Sequence, residues 1–391
     1  MGDQATRERP RVLVIPPSYF PTDTLHGGGE RYAREYSRAL AELTPTTLGF
    51  FDNEPRTEYD GSLQVRTFAV RHFRPGPSFP LTLETVRALK DFDVIHVMVF
   101  PMPLTDVLIL FARLRGQRVV LTDVGGGAPC LSTYLQRISR RLDLTRAAHG
   151  LAHLSEYASS FFTDWPQPYQ ILYGGADLGG FAVSPTPPEG YALFVGRLLP
   201  HKGVRQLIDA LPAELPLRIV GRAGDAAYLE SLHSAARGKN VRFIMDADES
   251  ELRRQYAGAN VVLQPSLPSI PGVPDKAELL GLVTLEGMAS GRPVIVTKYA
   301  SMPELVVDGV TGYTVEPYNA DELRDRVQLL LSDPGLAISM GASARAHVEA
   351  NFTWGATAAR GLSFYTSGKL ARASGAWGKI RKPPDDSRIK G

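Results

Sequence analysis

The stretch ELLGLVTLE sets Glu278 and Glu286 at the two ends of a mostly apolar run. A carboxylate in such company is costly unless something donates hydrogen bonds to it. A second stretch, GRLLPHKG at 196–203, carries two cations, Arg197 and Lys202, on a loop entering an amphipathic segment. Cations placed in this way neutralise a pair of phosphates, although a solvated surface has the same composition. A third stretch, HGGGER at 26–31, has Gly27, Gly28 and Gly29 ahead of Glu30. Backbone N–H groups at a helix start can cradle an anion, and glycine permits its close approach; a plain turn is the alternative. Asp123, in LTDVGGGAP, is placed either to contact a substrate hydroxyl or to cap a loop. His96, in DVIHVM, points into a cleft or into a core.

These groups act together only if the fold gathers them. Short β-branched runs alternate with longer amphipathic ones, which predicts parallel sheets covered by helices, an α/β fold. Strands are expected at RVLVIP (11–16), DVIHVMV (93–99), RVVLT (118–122), YALFVG (191–196), LRIVG (217–221), NVVLQP (260–265) and PVIVT (293–297). Helices are expected over 30–43, 203–211, 249–256 and 320–331. In doubly wound sheets ligands sit beyond the carboxyl ends of strands, where Gly196, Gly221, Arg197 and Asp123 fall. The proline-rich SPTPPEG at 184–190 reads as a boundary between domains spanning 1–183 and 190–350.

A chain of 391 residues, 43% hydrophobic and 21% charged, is long enough for two cores with a cleft between them. Its net charge of +2 comes from the end of the chain, where 368–391 hold seven Lys and Arg against two Asp; that basic tail is expected to be disordered. No nucleic-acid partner is expected. The lone Cys130 excludes an intrachain disulfide, and MGDQATRERP lacks the apolar core of a signal peptide, so the expected location is cytoplasmic. The apolar stretch 94–114 is interrupted by His96, Pro101, Pro103 and Asp106 and reads as a strand and a helix, not a membrane span. Arg137, Arg140 and Arg141 share a helix face. That face is solvated, or meets a phosphorylated acceptor or anionic lipid heads in a peripheral membrane contact. Phe161, Phe162 and Trp165 are expected in the core.

In order along the chain, GGGER, ILYGGADLGGF (171–181), FVGRLLPHKG (194–203), VVLQPS (261–266), ELLGLVTLEGMASGRPVIVT (278–297) and MPELVVDGVTGYTV (302–315) resemble the retaining GT-B glycosyltransferases, most closely glycosyltransferase family 4. The resemblance implies two Rossmann-like domains facing across a cleft, with a crossover helix at 351–367 returning to the first. It implies a nucleotide-sugar donor, most simply a UDP-sugar, as substrate rather than a cofactor, and a hydroxyl acceptor that is a small molecule, a glycan or a lipid-linked sugar. Glu286, two helical turns after Glu278, would take the ribose hydroxyls, and Glu278 a hydroxyl of the donor sugar. The N–H groups of Leu280, Gly281 and Leu282 would face the diphosphate, with Arg197 and Lys202 compensating the charge that grows as it leaves. Hexose transfer would then proceed without a metal. Asp-x-Asp pairs hold a metal ion in the other glycosyltransferase fold; here Asp91-Phe92-Asp93 opens a strand and Asp246-Ala247-Asp248 precedes a helix, where aspartate is a common cap. Two departures stand out. Val124 occupies the place of a histidine found in relatives, leaving Asp123 or His96 to act near the acceptor. Gly174 occupies the place of an asparagine, while Asp177 matches. Two other classes share the fold, a GT-B sugar-nucleotide epimerase and a non-catalytic nucleotide-sugar binding protein. The first lacks this glutamate block and the second would have no need of the cations.

Overall fold

The computed structural model describes residues 9–17, 27–52, 54–69, 83–98, 103–124, 144–184, 186–268 and 277–367. Its strands form two sheets. The first comprises β1 (Val12–Ile15), β2 (Thr46–Asp52), β3 (Arg56–Asp60), β4 (Leu63–Ala69), β5 (Val94–Val97), β6 (Arg118–Leu121), β7 (Gly150–His153) and β8 (Tyr169–Ile171). The second comprises β9 (Tyr191–Val195), β10 (Leu217–Val220), β11 (Val241–Ile244), β12 (Ala259–Gln264), β13 (Val294–Thr297) and β14 (Gly312–Val315). The order β11-β10-β9-β12-β13-β14 is that of a doubly wound sheet, and β4-β2-β1-β5-β6-β7 repeats it in the first sheet. All pairings are parallel except that of β3 with β4. The order reverses direction between β1 and β5 and between β9 and β12, the switch points at which doubly wound sheets bind their ligands.

The central strands read as unbroken apolar runs because helices cover both faces of each sheet: VLVI of β1 and YALFV of β9 are buried throughout. β3, RTEYD, is mostly exposed and closes an edge with charge. The stretch 94–114 forms β5 followed by the helix Pro103–Leu114, and among the described residues no helix is long and apolar enough to cross a membrane. Phe162 and Trp165 pack against the first core as expected, whereas Phe161 is 61% exposed, with its ring edge-on to Tyr157. Arg137, Arg140 and Arg141, and the tail from 368, lie outside the described residues.

The last helix, Trp354–Thr366, lies against the helix Gly28–Ala41. Its Ala358, Phe364 and Tyr365 complete the apolar cluster that holds Val12, Val14 and Tyr32 of the first half. Tyr365 also settles His96. Its hydroxyl bonds His96 Nδ1 at 2.6 Å and the Tyr36 hydroxyl at 2.7 Å, while His96 Nε2 bonds Thr122 Oγ1 at 2.7 Å. His96 is therefore a satisfied core residue, held neutral by burial with its pKa lowered to about 3.

Candidate functional site

At the second switch point, the loop after β9 rests on the loop after β12. Gly203 adopts φ +72°, and any Cβ there would collide with the Pro265 carbonyl. The Leu267 N–H donates to the His201 carbonyl at 2.8 Å. This contact carries Lys202, at the end of the turn Pro200–Lys202, to Glu278, and the two form an ion pair with side chains 16% and 15% exposed. The Ser301 N–H and hydroxyl hold the Glu278 carbonyl oxygen at 3.2 and 2.7 Å.

The expectation of Glu286 two helical turns after Glu278 is corrected. The helix starts only at Leu282, because Gly281 turns the chain through φ +57° and lies too close to Leu305 and Met302 for a side chain. Glu278 thus stands on the approach to the helix, where the nearby Gly281 N–H favours its charged form. Leu280 and Leu282 reach into the apolar cluster of the first half, and Leu280 lies 3.3 Å from where a Cβ of Gly28 would be.

Burial pushes the Glu278 carboxyl up, but Lys202 and the Gly281 N–H outweigh it and hold the group below the ordinary carboxylate range. Glu286 differs. Burial pushes it above the ordinary range despite Arg31 and Tyr256. Arg31 Nη1 lies 2.6 Å from its Oε1, and the Tyr256 hydroxyl donates to Oε2 at 2.8 Å. Glu286 is therefore a buried carboxylate with protein partners, not one standing open at a cleft surface.

Arg197 is exposed just past β9 and makes no side-chain hydrogen bond or ion pair among the described residues. Gly196 and Gly221 end β9 and β10 side by side, and Gly221 leaves room for the Gly196 carbonyl, which accounts for its glycine by packing alone. On the first half, the helix Gly28–Ala41 starts with Gly27 as its N-cap. Gly29 lies against Val124, 3.1 Å from where its Cβ would be. Asp123 is half-buried beside Val124, past β6, and its neighbours Gly125, Gly126 and Gly127 lie outside the described residues. Gly28, Gly29 and Val124 of one half thus meet Leu280 of the other, next to Glu278 and Lys202. Gly174 packs on Leu282, where a larger side chain would need space, and Asp177 accepts hydrogen bonds from the Gly179 and Gly180 N–H groups at 3.1 and 3.0 Å.

Sequence reasoning missed several participants. Arg31 and Tyr256 flank Glu286 from remote parts of the chain. Glu304 accepts hydrogen bonds from the N–H groups of Glu156 and Tyr157 at 2.8 and 2.7 Å and from the Tyr173 hydroxyl at 2.9 Å, a clasp across the halves. Arg31 closes the quoted GGGER and Glu304 lies in the quoted MPELVVDGVTGYTV, so the motifs held both residues but not their partners. The two Asp-x-Asp strings serve structure: Asp93 accepts from the Arg11 N–H at 2.8 Å, and Asp248 caps the helix Glu249–Gly258.

Comparison with known proteins fits this architecture. Residues 182–347 match the family described as "Glycosyl transferases group 1". Over 93% of this chain and all of the relative, the sequence is 29% identical to the GDP-mannose-dependent alpha-(1-6)-phosphatidylinositol monomannoside mannosyltransferase of Mycobacterium tuberculosis. The enzyme of the same description from Mycolicibacterium smegmatis is 30% identical over 67% of this chain and 73% of its own length. Among solved structures, sucrose-phosphate synthase from Thermosynechococcus elongatus superposes with a TM-score of 0.70 at 22% identity, covering 91% of this chain and 98% of that one. HepE of Anabaena in complex with UDP-glucose gives 0.67 at 19% identity, covering 90% and 99%. With these matches, and two doubly wound sheets meeting at a charged crevice, the chain belongs to the glycosyl transferases group 1 family and is a glycosyltransferase of the GT-B fold.

Proposed function

We propose that the protein moves a hexose from a nucleoside-diphosphate sugar to an acceptor hydroxyl with retention at the anomeric carbon and without a metal ion. The observation that carries this reading is the Lys202–Glu278 pair at the crevice where the second sheet reverses order. It sets a cation where the diphosphate would leave and an ionised carboxylate where a sugar hydroxyl would be held. Because Glu278 stays below the ordinary carboxylate range, it acts as a hydrogen-bond acceptor and not as an acid. As the bond between the anomeric carbon and the phosphate oxygen breaks, negative charge grows on the diphosphate, and Lys202 and Arg197 stabilise that charge more than the ground state. The departing phosphate oxygen takes the proton of the acceptor hydroxyl on the same face, so no strong protein base is needed. Glu286 holds the ribose hydroxyls. Asp123 lines the acceptor side, and the glycines Gly27 to Gly29 face the donor's phosphates, within a domain taken as 1–183 facing a donor domain of 190–350.

Metal independence is supported by the structural employment of Asp93 and Asp248. The family resemblance suggests a UDP-sugar, and HepE is known in complex with UDP-glucose, while the mycobacterial relatives are named for GDP-mannose. Their names also favour an inositol-bearing acceptor, as does that of the D-inositol 3-phosphate glycosyltransferase of Corynebacterium glutamicum, 34% identical over 44% of this chain. The test is mass spectrometry of the protein incubated with UDP- and GDP-hexoses and inositol phosphate, phosphatidylinositol or glycan acceptors, with the product anomer assigned by NMR. A new glycoside of the donor's own anomeric configuration, formed in the presence of excess chelator, is expected. Inversion, or turnover that stops with chelator, overturns the mechanism. An epimer formed without acceptor would show the alternative chemistry.

A further inference from the structure

This inference rests on the reading of Glu286 as the ribose carboxylate. Both oxygens of Glu286 are engaged, Oε1 by Arg31 at 2.6 Å and Oε2 by Tyr256 at 2.8 Å. The Glu286 side chain is only 4% exposed, whereas that of Arg31 keeps 31%, so the guanidinium is the solvent-side member of the pair. Its carbon lies 5.7 Å from the centre of the Phe181 ring, which with Tyr256 walls the carboxylate in. A guanidinium edge offers N–H donors to a carboxylate in much the way a vicinal diol offers two O–H donors. A carboxylate so enclosed admits one of them at a time. We propose that Arg31 occupies the ribose position on Glu286 and that the donor enters by displacing it. The guanidinium has other acidic groups to turn to, Glu35 one turn along its own helix and Glu249 across the crevice, both of which already act on it. Arg31 belongs to the helix Gly28–Ala41 of the first half and Glu286 to the second, so the exchange also releases an ionic tie between the halves.

Calorimetric titration of UDP and GDP, and of their 2′,3′-dideoxy forms, into the parent, Arg31→Gln and Glu286→Gln proteins tests this. Removing a charge-assisted competitor that is about one-third exposed should tighten the better-bound ribonucleotide about tenfold in Arg31→Gln. The same variant should leave the dideoxy form unchanged, since that form has no diol to gain the vacated place. Arg31→Lys keeps the charge without the fork and should fall between; it carries the test if Arg31→Gln does not fold. Unchanged or weaker ribonucleotide binding in these variants, or an equal gain for the dideoxy form, overturns the proposal. The underlying reading is judged separately: if Glu286→Gln binds the ribonucleotides as well as the parent, the ribose assignment falls and the competition with it. If Glu286→Gln weakens binding while the Arg31 variants show no gain, only the competition falls.

Discussion

Replacing Lys202 by methionine keeps a stem in the turn and removes its charge. The structure sets the expected size of the effect. Deleting one partner of a buried ion pair costs about 3–5 kcal/mol. Here the two side chains keep 16% and 15% exposure, and Glu278 retains the Gly281 N–H, which brings the loss to about 2–3 kcal/mol near neutral pH. For a cooperative unit of roughly 150–250 residues that is a fall of about 4–12 °C in Tm. The pH dependence separates this from a general loss of packing. In the parent the Glu278 carboxyl titrates below its ordinary value of 4.5, so its contribution is complete above 4.5 and is lost as pH falls through the folded value. In the variant burial is the main remaining influence, and it moves the carboxyl above its ordinary value. Acid then relieves the buried charge, and the Tm difference between the two proteins narrows from about pH 7 towards about pH 4.5. Differential scanning calorimetry across that range gives the stability side. Steady-state kinetics at saturating donor should show kcat lower by about 100-fold, the loss expected for one preorganised charge-stabilising group. A Tm offset that stays constant with pH would refute the electrostatic account of the pair, and an unchanged kcat would remove Lys202 from the chemistry.

Arg197→Ala should reduce kcat by about 100-fold as well, yet leave Tm within about 1 °C, because the side chain is exposed and has no partner among the described residues; a rise in KM alone would assign it to ground-state binding. Ala300 has φ +52°, a conformation that suits glycine, and it immediately precedes the Ser301 that fixes Glu278. Ala300→Gly should therefore raise stability by up to about 1 kcal/mol in denaturant titration, and a clear loss would contradict the strain. His96, with a folded pKa of about 3 against an ordinary 6.5, favours the folded state fully above pH 6.5 and progressively less as pH falls towards about 3. Its contribution is about 1.4 kcal/mol per pH unit in that window, and His96→Gln should flatten the acid limb of the stability curve measured by urea unfolding.

How much of this could be read from the chain depends on whether the deciding interaction was local. β9 and β13 were legible because strands covered on both faces are nearly continuous in apolar residues, and β10 and β12 kept enough of that run to be seen despite Arg218, Asn260 and Gln264. β2, TTLGFFD, mixes threonine and glycine into its run, β8 has only three residues, and β3 is polar because it forms an edge, so none of them carried that signature. Lys202 and Glu278 were recognisable by type and by their loops, but their pairing joins positions 76 residues apart, through loop packing that no local pattern encodes. The displaced helix start at Leu282 had a local cue, since a glycine at a helix entry takes dihedrals that a helix interior does not. The choice for His96 between cleft and core lay with Tyr365, and that of Glu286 between open and paired lay with Arg31.

The return of the helix Trp354–Thr366 to the first sheet has a consequence for the order of events during synthesis. The hydroxyl that satisfies His96 Nδ1 belongs to a residue 269 positions later, and Phe364 fills the same apolar cluster as Val12. Every strand of the second sheet has therefore left the ribosome before the first can close the face of its core that holds Val12 and Tyr32. The later-made half is able to fold as a unit while the earlier-made half waits with an open apolar face, a reversal of the usual progression from the N-terminus. Contacts of this sequence separation carry a large loop-closure penalty and slow the final step. A chain cut short before Tyr365 thus forfeits not a tail but the residue that satisfies His96 and closes one face of its opening sheet.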